Sequence, residues 1–196
     1  MPTRLVLAED ESVLRQDLKE ELIHQGYLVV GETDNGASAV ALARELRPDL
    51  VIMCIRMPEM DGIAAAEILT RERIAPVMLV TAMNADELIE RAADAGVVMY
   101  ITKPWRSSEM RPAIEMALAR HRDRLALEDR AADLEAKLTA RKYVERASGI
   151  LRKKYELTEQ EAYRRIARLS MSHRKSMGEI AEAILLAEDV SKDSSD

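Results

Sequence analysis

Through the first hundred residues, short apolar runs alternate with stretches whose apolar positions recur every three or four residues. The runs are Leu5-Val6-Leu7-Ala8, Tyr27-Leu28-Val29-Val30, Leu50-Val51-Ile52-Met53, Val77-Met78-Leu79-Val80 and Met99-Tyr100-Ile101. Between the first two, Val13, Leu14, Leu18, Leu22 and Ile23 have helical spacing, and Gly26 stops that helix. Helices are likewise predicted over 37–46, 63–72 and 86–95. Five strands without a polar face, separated by amphipathic helices, predict an α/β fold: a five-stranded, doubly wound parallel sheet covered on both sides. Sheets of this kind gather their functional residues at the carboxyl ends of the strands.

The rhythm then becomes purely helical. Between Met110 and Tyr155, Pro112 is the only proline and Gly149 the only glycine, and Pro112 is read as a first-turn residue. Leu127, Ala131, Leu134 and Leu138 follow 4, 3, 4 spacing on an otherwise highly charged helix, the pattern of a short coiled-coil seam and hence of a homodimer. Thr158-Glu159-Gln160-Glu161 and Ser176-Met177-Gly178-Glu179 both match the capping box, so two further helices start there. Three apolar faces result: Val144, Ala147, Ile150 and Leu151; Ala162, Tyr163, Ile166 and Leu169; Met177, Ile180, Ala181, Ile184 and Leu185. They predict a small three-helix bundle, with residues 187–196 as a flexible tail.

Charge separates the same two halves. Residues 1–120 carry 20 acidic and 13 basic side chains, a net −7, whereas 137–178 carry 12 basic and 4 acidic, a local +8. An acidic front and a basic back suggest separate tasks, the second meeting a polyanion. A single cysteine excludes an intramolecular disulfide, and no window of about 18 apolar residues exists, so a cytoplasmic protein without membrane attachment is expected.

The strand-end rule collects one constellation. Glu9, Asp10 and Glu11 follow the first strand, Cys54 ends the third, Thr81 ends the fourth, and Thr102-Lys103-Pro104 follows the fifth. With the segment Ile55-Arg56-Met57-Pro58-Glu59-Met60-Asp61-Gly62, this resembles the receiver domain of bacterial response regulators, over residues 4–118. The resemblance implies a flavodoxin-like fold and a phosphorelay partner, either a sensor histidine kinase or another regulator. It also implies Mg²⁺ at Glu9 and Asp10, phosphoryl contacts from Thr81 and Lys103, and an aromatic switch at Tyr100.

The family carries a phosphorylatable aspartate where this chain has Cys54. Three readings stand: a lost acceptor whose thiol caps a buried strand, a redox or thiol-reactive switch aided by Lys103, or a replacement introduced for a native aspartate. Each leaves a weakened Mg²⁺ site, since Mg²⁺ takes hard oxygen ligands.

A second resemblance covers the basic half. Val144-Glu145-Arg146-Ala147-Ser148-Gly149-Ile150-Leu151, Thr158 to Tyr163 and Met177-Gly178-Glu179-Ile180-Ala181 look like the ANTAR domain of response regulators, here over 124–185 with a linker helix over 119–140. Family members bind RNA hairpins, prevent transcription termination and dimerise through the preceding helix. The implied RNA-binding residues are Arg141, Lys142, Arg146, Ser148, Gly149, Arg152, Lys153, Lys154 and Tyr163, with Ser148 standing where the family usually has lysine. Tyr143, Tyr155 and Tyr163 are either base-stacking surfaces or bundle core. A non-enzymatic RNA-binding antiterminator follows; the competing readings are a DNA-binding transcription regulator and a signalling adaptor without nucleic acid. No nucleophile–base pair is apparent, and His24, His121 and His173 are scattered.

Overall fold

The structure, a computed structural model, describes residues 2–82 and 86–193. The chain divides into two compact units, residues 1–125 and 126–196.

The first unit is a parallel sheet of β1 (Arg4–Ala8), β2 (Leu28–Thr33), β3 (Leu50–Cys54), β4 (Val77–Thr81) and β5 (Met99–Thr102), in the order β2-β1-β3-β4-β5. The connecting helices are α1 (Ser12–His24), α2 (Gly36–Leu46), α3 (Gly62–Arg71) and α4 (Asp86–Asp94). Alternation along the strands assigns the two faces. Val6, Ala8, Val51, Met53, Val77 and Leu79 pack with Ala39, Ala43, Ala66 and Leu69 of α2 and α3. Leu5, Leu7, Leu50, Ile52, Met78 and Val80 pack with Leu18 and Leu22 of α1 and with Met110 and Ile114 of the long helix α5 (Ser107–Tyr155). Both faces being covered is why β1, β3 and β4 have no polar face, whereas the edge strands β2 and β5 are partly exposed.

Three local expectations need correction. Val13 and Ile23 are 72% and 53% exposed, so the buried stripe of α1 is narrower than its apolar spacing. Pro112 is the sixth residue of α5, in its second turn and not its first. Helix α7 (Met177–Asp193) continues through residues read as the start of a flexible tail; 194–196 lie outside the described residues.

The second unit contains the rest of α5, α6 (Glu159–His173) and α7. Ala147, Leu151, Ala162, Ile166, Ile180, Ala181 and Leu185 form its core. The three-helix bundle is thus present, with Tyr163 left out of it at 53% exposure. Both capping boxes form. Thr158 Oγ1 accepts from Glu161 N while Glu161 Oε2 accepts from Thr158 N, and Ser176 and Glu179 repeat the arrangement. Each such cap stabilises its helix by about 1 kcal/mol.

Candidate functional site

In the first unit, the ends of β1, β3, β4 and β5 converge. Glu9, just past β1, is 1% exposed, and its Oε2 accepts from Lys103 Nζ at 2.7 Å. Its other oxygen, Oε1, is buried with no hydrogen-bond partner. Burial pushes the Glu9 carboxyl above the ordinary carboxylate range, outweighing the attraction of the Lys103 ammonium. Lys103 is held by its own backbone, whose N–H donates to Thr81 O at 2.7 Å and so ties the end of β5 to that of β4.

Cys54 is 4% exposed at the end of β3. Its thiol lies 3.4 Å from Asp10 Oδ1 and 2.9 Å from Arg56 O, to which it donates. Burial raises this thiol from 9.0 to about 12, and the neighbouring Glu9 and Asp10 carboxylates push the same way. The loop after Cys54 is pinned by Gly62. Its N–H donates to Ile55 O at 2.8 Å, and an added Cβ there would overlap the Cys54 carbonyl oxygen. Asp61 then caps α3 by accepting from Ala64 N.

Glu9, Asp10 and Cys54 each bring one ligand atom within 4.8 Å of the others. Two of these donors suit Mg²⁺ and the third does not: a neutral, soft thiol stands where a hard anionic oxygen is wanted. Thr81 is buried at the end of β4, and Tyr100 is 45% exposed on β5.

A thiol held at about 12 has few thiolates at neutral pH. Against an unfolded thiol near 9.0, the thiolate fraction at pH 8 falls by about three powers of ten. Iodoacetamide at pH 8 should therefore modify Cys54 at least about 100-fold more slowly in the folded protein than in urea; equal rates would mean an open, activated thiol. The same shift costs stability in alkali: as pH rises past the unfolded value of 9.0, the unfolded chain loses its thiol proton first.

In the second unit, a cavity of about 600 Å³ lies between α5 and α6, lined by Arg141, Val144, Glu145, Ser148, Gly149, Arg152, Glu159, Gln160 and Tyr163. It gathers Arg141, Ser148, Gly149, Arg152 and Tyr163 from the nine residues singled out in the sequence. Ser148 is 8% exposed, so its side chain belongs to the cavity floor. At Gly149 an added Cβ would meet nothing within 4 Å, which leaves the backbone open to close approach. Lys153 lines an adjoining hollow with Gly149 and Arg152. Lys154 is turned elsewhere, 3.9 Å from Glu188 and beside Tyr155, whose ring carries the Arg165 guanidinium at 4.1 Å from its centroid. Lys142 and Arg146 are exposed and do not line the cavity. Of the tyrosines, Tyr143 packs against the core and Tyr163 faces the cavity.

Sequence reasoning missed Glu145, Glu159 and Gln160. The last two open α6 directly after its Thr158 cap, so the capping box already marked their place at a helix amino end. Upstream, Leu127, Leu134 and Leu138 are 63%, 61% and 60% exposed, an uncovered apolar stripe along α5. No helix among the described residues is long and apolar enough to cross a membrane.

Comparison with known proteins assigns a family to each of the two units. Residues 5–115 match the response regulator receiver domain family and residues 132–185 the ANTAR domain family. The transcriptional regulatory protein PdtaR of Mycobacterium tuberculosis strain H37Rv is 45% identical over 185 residues, covering 94% of this chain and 90% of that protein. Chemotaxis protein CheY of Bacillus subtilis is 37% identical over 119 residues, 60% of this chain and 99% of its own. Among solved structures, the response regulator domain of Thermotoga maritima CheB superposes with a TM-score of 0.57 at 28% identity, over 61% of this chain and 98% of that one. A doubly wound sheet with acidic, hydroxyl and lysine side chains at its strand ends defines a receiver. This chain belongs to the response regulators, as a receiver followed by an ANTAR domain.

Proposed function

We propose that this response regulator binds RNA stem-loops through its ANTAR domain and thereby prevents transcription termination, under a receiver that has lost its phosphoacceptor. The observation that carries the RNA reading is the α5–α6 cavity. Arg141 and Arg152 supply charge for phosphates, Tyr163 offers an exposed ring for base stacking, and Gly149 leaves room for close approach. Unpaired bases in hairpin loops are read by stacking and edge hydrogen bonds, and phosphate contacts supply salt-dependent affinity. Lys142, Arg146, Lys153 and Lys154 add field around the cavity without lining it. The PdtaR relative is named a transcriptional regulatory protein, which agrees with this reading. The domain limits in this reading are 4–118 for the receiver and 124–185 for the ANTAR domain.

In the receiver, Cys54 occupies the acceptor position, Glu9 and Asp10 are the residual metal ligands, and Thr81, Tyr100 and Lys103 are the switch residues. A thiol held neutral supports the lost-acceptor reading over a thiol-reactive switch. Partners are RNA in the cytoplasm and a sensor kinase or another regulator docking on the receiver.

The test is direct competition of fluorescent hairpin RNA with duplex DNA of matched composition on the full-length protein. Preference for the hairpin supports the reading; preference for duplex DNA supports a DNA-binding regulator, and binding to neither supports an adaptor.

Dimerisation through the exposed Leu127, Leu134 and Leu138 stripe is part of the proposal. Leu134→Asp should shift the protein toward monomer in light scattering at tens of micromolar, since a carboxylate in a closed seam is buried unpaired. A wild-type monomer at that concentration would contradict it.

A further inference from the structure

We infer that the outer ridge of α6, carrying Arg164 and Arg168 and ending at Arg174 and Lys175, docks the phosphate backbone of the base-paired stem of an RNA hairpin whose loop occupies the α5–α6 cavity. The inference rests on the RNA reading of that cavity and adds a second, separable set of contacts.

The ridge begins in the cavity wall. Gln160 lines the cavity, and Arg164 and Arg168 follow it at i+4 and i+8 on the same helix. Such positions stand above one another on one face, about 6 Å apart along the axis, so the two guanidinium groups extend the wall by roughly 12 Å. Arg174 and Lys175 add charge where α6 ends. Their turn is fixed by the left-handed conformation of Arg174, at φ 54°, and by Ser170 Oγ donating to Lys175 O at 2.6 Å.

These charges are available. All four side chains are exposed and form no salt bridge among the described residues. By contrast, Arg141 is paired with Glu145, Lys154 lies 3.9 Å from Glu188, and the Arg165 guanidinium covers the Tyr155 ring. The carboxylates that feel the ridge, Glu161 beside Arg164 and Glu179 beside Lys175, are committed to the two capping boxes. Hydrogen bonds from Thr158 and Ser176 hold both below the ordinary carboxylate range.

Helix stability does not account for the ridge. Cations are favoured at a helix carboxyl end, which suits Arg174 and Lys175, but Arg164 is the sixth of fifteen residues and Arg168 the tenth. Neither belongs to the core that Ala162 and Ile166 help to form. A merely solvated face mixes both signs, whereas α6 carries no acidic residue after Glu161. The guanidinium fork matches phosphate oxygens two at a time, and duplex RNA is recognised through its backbone and shape. An acidic protein is the other class that such a ridge attracts. Continuity with a cavity that offers the exposed Tyr163 ring favours a chain bearing both phosphates and bases.

The experiment measures fluorescence anisotropy of this chain with a hairpin RNA and with the same loop sequence as a linear strand, across a salt series. In the wild type, the log–log salt slope for the hairpin should exceed that for the linear strand by about 1.8, taking two stem phosphates at ~0.9 each. Arg164→Gln with Arg168→Gln should abolish that difference and weaken hairpin binding roughly 60-fold at about 0.1 M salt, leaving the linear strand within about two-fold. Circular dichroism should be unchanged, and Arg164→Lys with Arg168→Lys should keep the slope because it keeps the charge. Hairpin affinity equal in wild type and glutamine variant, or an equal loss for hairpin and linear strand, would overturn the stem assignment while leaving the RNA reading standing. Wild-type binding to neither RNA would overturn both. Poly-glutamate that binds the wild type as tightly as the hairpin, and is lost in the same variant, would give the ridge to an acidic protein instead.

Discussion

Mg²⁺ with acetyl phosphate or beryllofluoride should leave this protein's conformation unchanged, and Cys54→Asp should restore a response. A thiol cannot become an acyl phosphate, and Cys54 is held neutral behind 96% burial, its proton shared with Arg56 O. Glu9 and Asp10 lie beside Cys54, and Lys103, bonded to Glu9, is tied through its backbone N–H to Thr81, so the groups proposed to serve an aspartyl phosphate would still be present in Cys54→Asp. Restoring one hard, anionic oxygen should raise Mg²⁺ affinity on the order of ten-fold or more. The single tryptophan, Trp105, shares a surface hollow with Lys103 and Pro104, so its fluorescence reports the change without a label. Fluorescence should be flat for wild type and should saturate with beryllofluoride for Cys54→Asp. A stable phosphoryl adduct on the wild-type protein, seen by mass spectrometry, would contradict this account of the receiver.

A second large effect is expected at the α5–α6 cavity, the proposed RNA surface. Arg152 and Lys153 adjoin Gly149 and form no ion pair among the described residues, so their charge is available to phosphates. With about four phosphates contacted, affinity for a hairpin loop should fall with salt at a log–log slope of roughly −3, taking ~0.7 per phosphate. Replacing both by alanine should flatten the slope to about −1.4 and weaken binding ~25-fold at about 0.1 M salt. Lys154→Ala should do much less, since that side chain lies toward Glu188 and away from the cavity. Tyr163→Ala should weaken binding with little change of slope, because a stacking contact of about 1–3 kcal/mol releases no counterions. Fluorescence anisotropy across a salt series separates the two behaviours.

Much of this arrangement was legible in the residues because it depends on local rules. A sheet buried on both faces must show strands without polar alternation, and a strand end must carry the polar groups that the interior refuses. Glu9, Cys54, Thr81 and Lys103 were therefore findable, as were the caps at Thr158 and Ser176. What escaped depends on tertiary packing. Spacing alone puts Val13 and Ile23 on the same stripe as Leu18 and Leu22, but only the latter two meet the sheet. Tyr163 has the spacing of a core residue and lies outside the core, because Ala162 and Ile166 already fill the contact with α5 and α7. Consecutive residues such as Arg152, Lys153 and Lys154 look like one basic patch in a string, yet a helix turns each by about 100° and sends Lys154 to another face. The hydrogen bond from the Cys54 thiol to Arg56 O and the unpartnered Glu9 Oε1 have no sequence signal at all.

This regulator is proposed to act on RNA through the α5–α6 cavity. Crosslinking this chain to transcripts in an extract of its source cells, in parallel with the variant carrying Tyr163→Ala and Arg152→Ala, is the decisive measurement. The expected result is recovery of stem-loop RNAs lying ahead of termination signals by the wild type, without any added phosphodonor, and their loss from the variant. Recovery of the same RNAs in the same amounts by both proteins, or of none by either, would contradict it.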